Sequence, residues 1–198
     1  MSDVHVPSRL QEGIPENVFL VGLMGAGKTS VGKLLAKRLG KEFLDCDHEV
    51  EEATGVKIAV IFEIEGEAGF RARESKMLLD LAKRENVLIA TGGGAVLSPD
   101  NRKLLAESGI VIYLRAAPVD LWRRTRHDKQ RPLLKTEDRM ARLEQLFAER
   151  DPLYRQIADI IVDTGSQSLG ALATKLERKI LEFKAQPGGR GGDPLRAD

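Results

Sequence analysis

Cysteine occurs once in this sequence, at Cys46, so no internal disulfide can staple the chain, and that usage suits a reducing compartment. An excess of either charge is also missing. Lys and Arg number 31 against 30 Asp and Glu, a formal net charge of +1. That balance gives no global electrostatic case for a nucleic-acid or anionic-membrane partner. No apolar run approaches the length of a spanning helix, the N-terminus lacks the apolar core of a signal peptide, and no repeat recurs. At 198 residues, the expectation is one soluble cytoplasmic domain, large enough for a sizeable core.

The two ends lack periodicity. Residues 1–16 carry two prolines, a glycine and scattered charge, and read as a flexible arm. Residues 186–198 include Pro187-Gly188-Gly189-Arg190-Gly191-Gly192, cannot build a core, and read as a disordered, solvated tail. The domain proper is 17–185.

What is present is dominated by Gly22-Leu23-Met24-Gly25-Ala26-Gly27-Lys28-Thr29, which matches the P-loop pattern G-x-x-x-x-G-K-[ST]. The apolar run Asn17–Val21 precedes it as a strand. Val31, Leu34, Leu35 and Leu39 follow at helical spacing. Glycine turns bring backbone N–H groups to bear on phosphate oxygens, and the helix that begins near Lys28 adds its positive dipole end. Lys28 can reach β- and γ-phosphates, and the Thr29 hydroxyl can ligate Mg²⁺. The motif therefore implies a nucleoside triphosphate.

Further apolar runs at Phe43-Leu44, Val87–Ala90, Ile110–Leu114 and Ile160–Val162 alternate with helical patterns. Near-continuous apolar runs mark strands covered on both faces. The fold expected is α/β: a doubly wound, five-stranded parallel sheet with helices on both faces and ligands outside the strands' carboxyl ends. At those ends stand Asp45-Cys46-Asp47 and Thr91-Gly92-Gly93-Gly94-Ala95. Alternation puts the two aspartates on one face, where they could hold Mg²⁺ or take a proton from a hydroxyl. Asp47 could equally cap a helix starting near His48. Cys46 reads as a small core residue, and His48 as solvent-facing. The glycine run lets a ligand lie against backbone. It does not end in the Walker B aspartate, so Asp45 becomes the candidate for that duty. Asp163 reads as a turn residue.

Two helical stripes bury charge. Phe70, Met77, Leu78 and Leu81 form one, with Glu74 in its middle and Arg71 at its edge, three residues apart and able to pair. Met140, Leu143, Leu146 and Phe147 form the other, with Arg150 in its arc before Pro152, which should end or bend the helix. An inward arginine suits a carboxylate ligand. Between the stripes, Arg123 to Arg131 is dense in basic residues and reads as part of a mobile lid, about 123–136, that closes over phosphates. Trp122 reads as packing rather than as an adenine platform.

Six motifs in order, Gly-Leu-Met-Gly-Ala-Gly-Lys-Thr at 22–29, Asp-x-Asp at 45–47, Phe-Arg at 70–71, Gly-Gly-Gly-Ala at 92–95, Arg-Pro-Leu-Leu at 131–134 and Glu-Arg-x-Pro-Leu-Tyr at 149–154, resemble those of the shikimate kinases. The resemblance covers roughly Asn17 to Phe183. It implies the P-loop kinase fold, a monomer, and ATP- and Mg²⁺-dependent phosphorylation of the shikimate 3-hydroxyl on the way to chorismate, with one Mg²⁺ per subunit. By that resemblance Asp47, Arg71, Gly93 and Arg150 hold shikimate, with Asp47 able to act as base, Glu74 orienting Arg71, and Gly92 and Gly94 in support. ATP is held by Gly25, Ala26, Gly27, Lys28, Thr29 and Ser30, by Arg131 from the lid, and by Gln167 beside adenine. Thr29 binds Mg²⁺ with Asp45 behind it through water, and Lys28 and Arg131 stabilise the transferred phosphoryl group.

Two rivals remain at this level. A kinase for another hydroxy acid, such as gluconate, would also use paired inward arginines. A GTP-dependent switch would need Asn-Lys-x-Asp for guanine, which the sequence lacks.

Overall fold

A computed structural model describes residues 16–128 and 132–185. Five strands make one sheet: β1 (Asn17–Val21), β2 (Glu42–Asp45), β3 (Val87–Ala90), β4 (Gly109–Arg115) and β5 (Ile160–Asp163). Their order is β2-β3-β1-β4-β5, with every pairing parallel, as the alternation of strand and helix patterns predicts. Consecutive residues of β1 and β3 are all buried, and since successive side chains point to opposite faces, both faces must be covered. The helices are α1 (Lys28–Leu39), α2 (Cys46–Thr54), α3 (Ile58–Ala82), α4 (Pro99–Ser108), α5 (Pro118–Thr125), α6 (Arg139–Ile157) and α7 (Leu169–Ala185). Helix α1 packs with α7, and α4 and α6 lie against β4. The core between them is largely aliphatic, centred on Leu20, Leu35, Ile89, Ile112 and Leu146.

Full cover does not extend to β5. It is an edge strand in which Ile160 and Val162 are buried while Ile161 is exposed, because alternate side chains point to opposite faces and only one face of this strand is covered. Asp163 closes that strand and pairs with Arg115 at 3.1 Å, so it is a strand residue rather than a turn residue. At the N-terminal boundary, Glu16 is tied to Lys184 of α7 by an ion pair, so the last residue of the expected arm is anchored. The rest of the arm and the tail from 186 onward lie outside the described residues.

The strand order sets the site. Because β3 lies directly beside β1, the Gly92–Gly94 run emerges next to the P-loop, and Thr91 N–H still donates to Leu20 O at 3.1 Å. This is where an open parallel sheet places its ligand crevice.

Candidate active site

The loop after β1 turns on glycines in left-handed conformations, φ 79° at Gly25 and 95° at Gly27. A Cβ at Gly25 would also stand 2.7 Å from Thr125 Cγ2. Ala26 N–H donates to Leu23 O at 3.2 Å and tightens the turn. Gly27 then caps α1 with no side-chain partner for the helix's first N–H groups, which leaves them to an anion. Lys28 Nζ donates to Gly22 O at 2.6 Å and Leu23 O at 3.0 Å, so the ammonium is held against the loop. Thr29 and Ser30 follow in the first turn of α1, both exposed.

Asp45 is the last residue of β2, and Thr29 Oγ1 donates to its Oδ2 at 2.6 Å. Helix α2 begins at once, at Cys46, with Asp45 as its N-cap accepting from Asp47 N–H at 3.1 Å. The strand alternation expected through 45–47 therefore stops at Asp45, and the capping role lies with Asp45, not Asp47. The carboxylate of Asp47 lines a cavity instead. Cys46 is fully buried and its thiol is pushed up, chiefly by burial, which suits a core residue. His48 is exposed, 3.3 Å from Glu52.

The cavity holds about 490 Å³ and is lined by Asp47, Arg71, Glu74, Gly93, Gly94 and Arg150, with Ile58, Phe62 and Pro132 among its apolar walls. Arg71 Nη1 donates to Glu74 Oε2 at 2.8 Å and Nη2 to Glu67 Oε1 at 2.9 Å. Glu74 is 1% exposed, and burial pushes its carboxyl up against the pull of Arg71. Arg150 is 2% exposed and donates from Nη1 to Gly93 O at 3.2 Å. The Nε groups of both arginines are buried without a partner among the described residues. Two guanidinium groups on one cavity, one half-buried and one buried, each with a spare donor, are what a carboxylate ligand satisfies.

The glycine run is needed for close approach. A Cβ on Gly94 would collide with the Arg71 guanidinium, and one on Gly92 would collide with Glu74 Oε1 and lie 2.9 Å from Asp47 Oδ1. Gly92→Ala should therefore cost about 1–3 kcal/mol in urea unfolding, the usual range for overpacking. Gly165→Ala, where nothing lies within 4 Å of the added carbon, should stay within about 0.5 kcal/mol of the parent. Equal stability for the two variants would show that the Gly92 contacts yield freely.

Other expected residues lie apart from this cavity or outside the described chain. Gln167 sits on the β5–α7 loop and donates to Asp163 O at 3.0 Å. Arg131 lies outside the described residues. The basic stretch read as one lid is divided: Arg123 to Thr125 are the end of α5, Thr125 is buried, and Leu134 beyond the gap is buried too. Trp122 packs against the core, as expected.

Sequence reading missed two residues. Arg124 bridges the P-loop to the β5–α7 loop, donating to Gly25 O at 3.1 Å, Thr164 O at 3.0 Å and Gly165 O at 2.8 Å. Within a basic run nothing distinguishes it from its neighbours. Tyr154 is fully buried and donates to Gly93 O. Its position one helical turn after Arg150 was the available signal.

Comparison with known proteins agrees with this geometry. The family model for shikimate kinase matches residues 24–181. A shikimate kinase of Burkholderia lata is 61% identical over 156 residues, 79% of this chain and 85% of its own length. The structure of an Acinetobacter baumannii shikimate kinase in complex with shikimate is 47% identical, with a TM-score of 0.87, covering 91% of this chain and 100% of that one. A gluconokinase from Sinorhizobium meliloti, 20% identical with a TM-score of 0.52 over 87% of this chain and 99% of its own, shares the fold alone. With a P-loop beside a cavity lined by Arg71 and the buried Arg150, and a match spanning most of its length, the chain belongs to the shikimate kinase family.

Proposed function

We propose that this protein transfers the γ-phosphoryl group of ATP to the 3-hydroxyl of shikimate. The observation that carries the reading is the placing of Arg71 and Arg150, with Asp47 between the P-loop and the same cavity. Arg71, oriented by Glu74, and Arg150 grip the acceptor carboxylate. Asp47 hydrogen-bonds the ring hydroxyls and accepts the proton as the 3-oxygen attacks the γ-phosphorus. The bond to the β-phosphate oxygen breaks, and ADP leaves. Lys28 offsets charge on the transferred group from the P-loop side, and Arg131 does so when the lid closes.

The triphosphate lies on Gly25, Ala26, Gly27, Lys28, Thr29 and Ser30, with Gln167 on the adenine side. A Mg²⁺ ion suits the neighbouring oxygens of Thr29 and Asp45, both hard donors, and Mg²⁺ sites commonly draw few ligands from protein and the rest from phosphate and water. Thr29 would hold it directly and Asp45 through water; when bound, the ion supplies countercharge to the phosphate oxygens. The protein works as a monomer in the cytoplasm, one ion per subunit.

Assay of ADP release with ATP, Mg²⁺ and a panel of hydroxy acids tests the reading. Shikimate should support turnover and gluconate should not. Equal turnover with gluconate would sink the acceptor assignment.

The two arginines separate further. Arg150 should bind the carboxylate in ground and transition states alike, so Arg150→Ala should raise KM for shikimate on the order of 10²-fold with a smaller effect on KM for ATP. Arg131→Ala should lower kcat much more than it weakens shikimate binding measured without nucleotide. Equal losses of nucleotide-free shikimate binding in the two variants would show that Arg131 does not act from a lid.

A further inference from the structure

We propose that Tyr154 is a positioning residue for the acceptor site, its hydroxyl fixing the Gly93 carbonyl that also anchors the Arg150 guanidinium. This deepens the functional reading above and rests on it. Tyr154 and Arg150 lie one turn apart on α6, and both reach the same backbone oxygen: the phenol donates to Gly93 O at 2.5 Å and Arg150 Nη1 donates to it at 3.2 Å. Phenol and guanidinium thus converge side by side on one carbonyl. The hydroxyl therefore fixes the carbonyl on which the arginine rests, tying the helix to the loop after β3.

The phenol is also held in place from behind. Its ring stacks on Tyr113, centroids 4.8 Å apart and planes 30° apart. Tyr113 donates to Asp151 Oδ1 at 2.8 Å, and Arg155 Nε grips the same carboxylate at 2.6 Å. Tyr154 is fully buried, and burial drives its pKa well up, so the hydroxyl keeps the proton it donates across the working range of pH.

What the hydroxyl does follows from Arg150's situation. A buried guanidinium that makes few fixed bonds would rotate among its rotamers, and each must be re-ordered when a ligand binds. With Nη1 on Gly93 O and the phenol beside it, Arg150 is held while its Nε stays unpartnered among the described residues, ready for an anionic oxygen. Gly93 is also the residue whose Cβ would face Met24 N at 3.4 Å, so the carbonyl both groups hold lies close beside the P-loop.

The test is a double-mutant cycle on the full chain: wild type, Tyr154→Phe, Arg150→Ala and the double variant, titrated with shikimate without nucleotide and assayed for KM. Tyr154→Phe removes one oxygen and keeps the ring stack. It should weaken shikimate binding up to about tenfold, the upper end for a lost neutral hydrogen bond, and leave KM for ATP unchanged. In the Arg150→Ala background the same substitution should change shikimate binding by less than about twofold, because its target is gone. A merely structural tyrosine would lower the melting temperature and leave that coupling at zero. Wild-type-like shikimate binding by Tyr154→Phe, or an equal loss in both backgrounds, overturns the proposal. Failure of the wild type to bind shikimate would instead remove the functional reading beneath it, and is seen before any substitution.

Should Tyr154→Phe not fold, the sequence offers a second route, since Tyr113 and Tyr154 are its two tyrosines. Fluorotyrosine incorporated into a Tyr113→Phe protein labels position 154 alone. Its ¹⁹F resonance should move on saturation with shikimate in that protein and stay fixed when Arg150→Ala is added. A resonance unmoved by shikimate in the Tyr113→Phe protein overturns the proposal.

Discussion

Lys28→Ala abolishes measurable phosphoryl transfer and leaves the fold intact. The two halves of that expectation come from different physics. On the chemical side, the ammonium sits against the loop that faces the transferred group, 2.6 Å and 3.0 Å from the carbonyls of Gly22 and Leu23. A charge aimed at a developing transition-state anion in a water-poor site is worth on the order of 10²–10³ in kcat for a single donor, and a full charge exceeds a neutral one. On the structural side, Lys28 is only half-buried, and its removal takes away hydrogen bonds to the loop carbonyls of Gly22 and Leu23, each worth about 0.5–1.5 kcal/mol net, rather than core packing. The checks are ADP release over time and a melting curve on the same preparation. Undiminished turnover in a folded variant would sink the kinase mechanism, and an unfolded variant would show that the lysine is structural.

The P-loop was legible because its signal is local: the glycines and the lysine fix backbone conformation within one turn, and the flanking apolar periods name the strand and helix. The sheet was legible for the same reason, strand by strand. What escaped depends on contacts distant in sequence. The apolar stripe from Phe70 to Leu81 predicts a helix there, yet α3 starts at Ile58 and runs through Gly66, where φ 70° and ψ −176° break the helical path. A glycine in that conformation interrupts local helical propensity, and the two segments are joined by Arg73 reaching back to grip Glu65 at 2.8 and 2.6 Å. Those first turns carry Ile58 and Phe62 into the cavity wall.

The site divides along the same line. Arg71, Glu74 and Arg150 were visible as charges on apolar stripes, since a buried charge needs a partner or a cavity wherever it occurs. Arg124 was not, and Tyr154 was marked only by its place one turn after Arg150, because each acts on backbone carbonyls of another element, and carbonyls leave no trace in a sequence. Pro152 does not end α6; the helix continues to Ile157, and that extra turn is what brings Tyr154 over Gly93.

Asp47→Asn should lower kcat by about 10²-fold or more, the usual contribution of a positioned general base. The structure removes the main competing explanation for this residue. Asp45, not Asp47, caps α2, so replacing the Asp47 carboxylate by an amide of the same shape leaves the helix start and its bond to Asp47 N–H in place. Stability should hardly change. The substitution also withdraws a negative charge that helps raise the carboxyl of Glu74, so the Arg71–Glu74 pair should be held at least as well as before. Any loss of rate then belongs to Asp47's own role at the acceptor hydroxyl. Two readouts separate base from positioner. If Asp47 is the base, kcat/KM of the wild type falls on the acid side as the carboxylate takes up its proton, and the asparagine variant loses that limb together with its rate. If Asp47 only positions the ring hydroxyls, the amide can still hydrogen-bond them, kcat changes by only a few-fold, and the loss appears in KM for shikimate. A few-fold change in kcat with the acid limb retained would mean that the proton leaves by another path, directly to solvent or to the phosphoryl oxygens themselves.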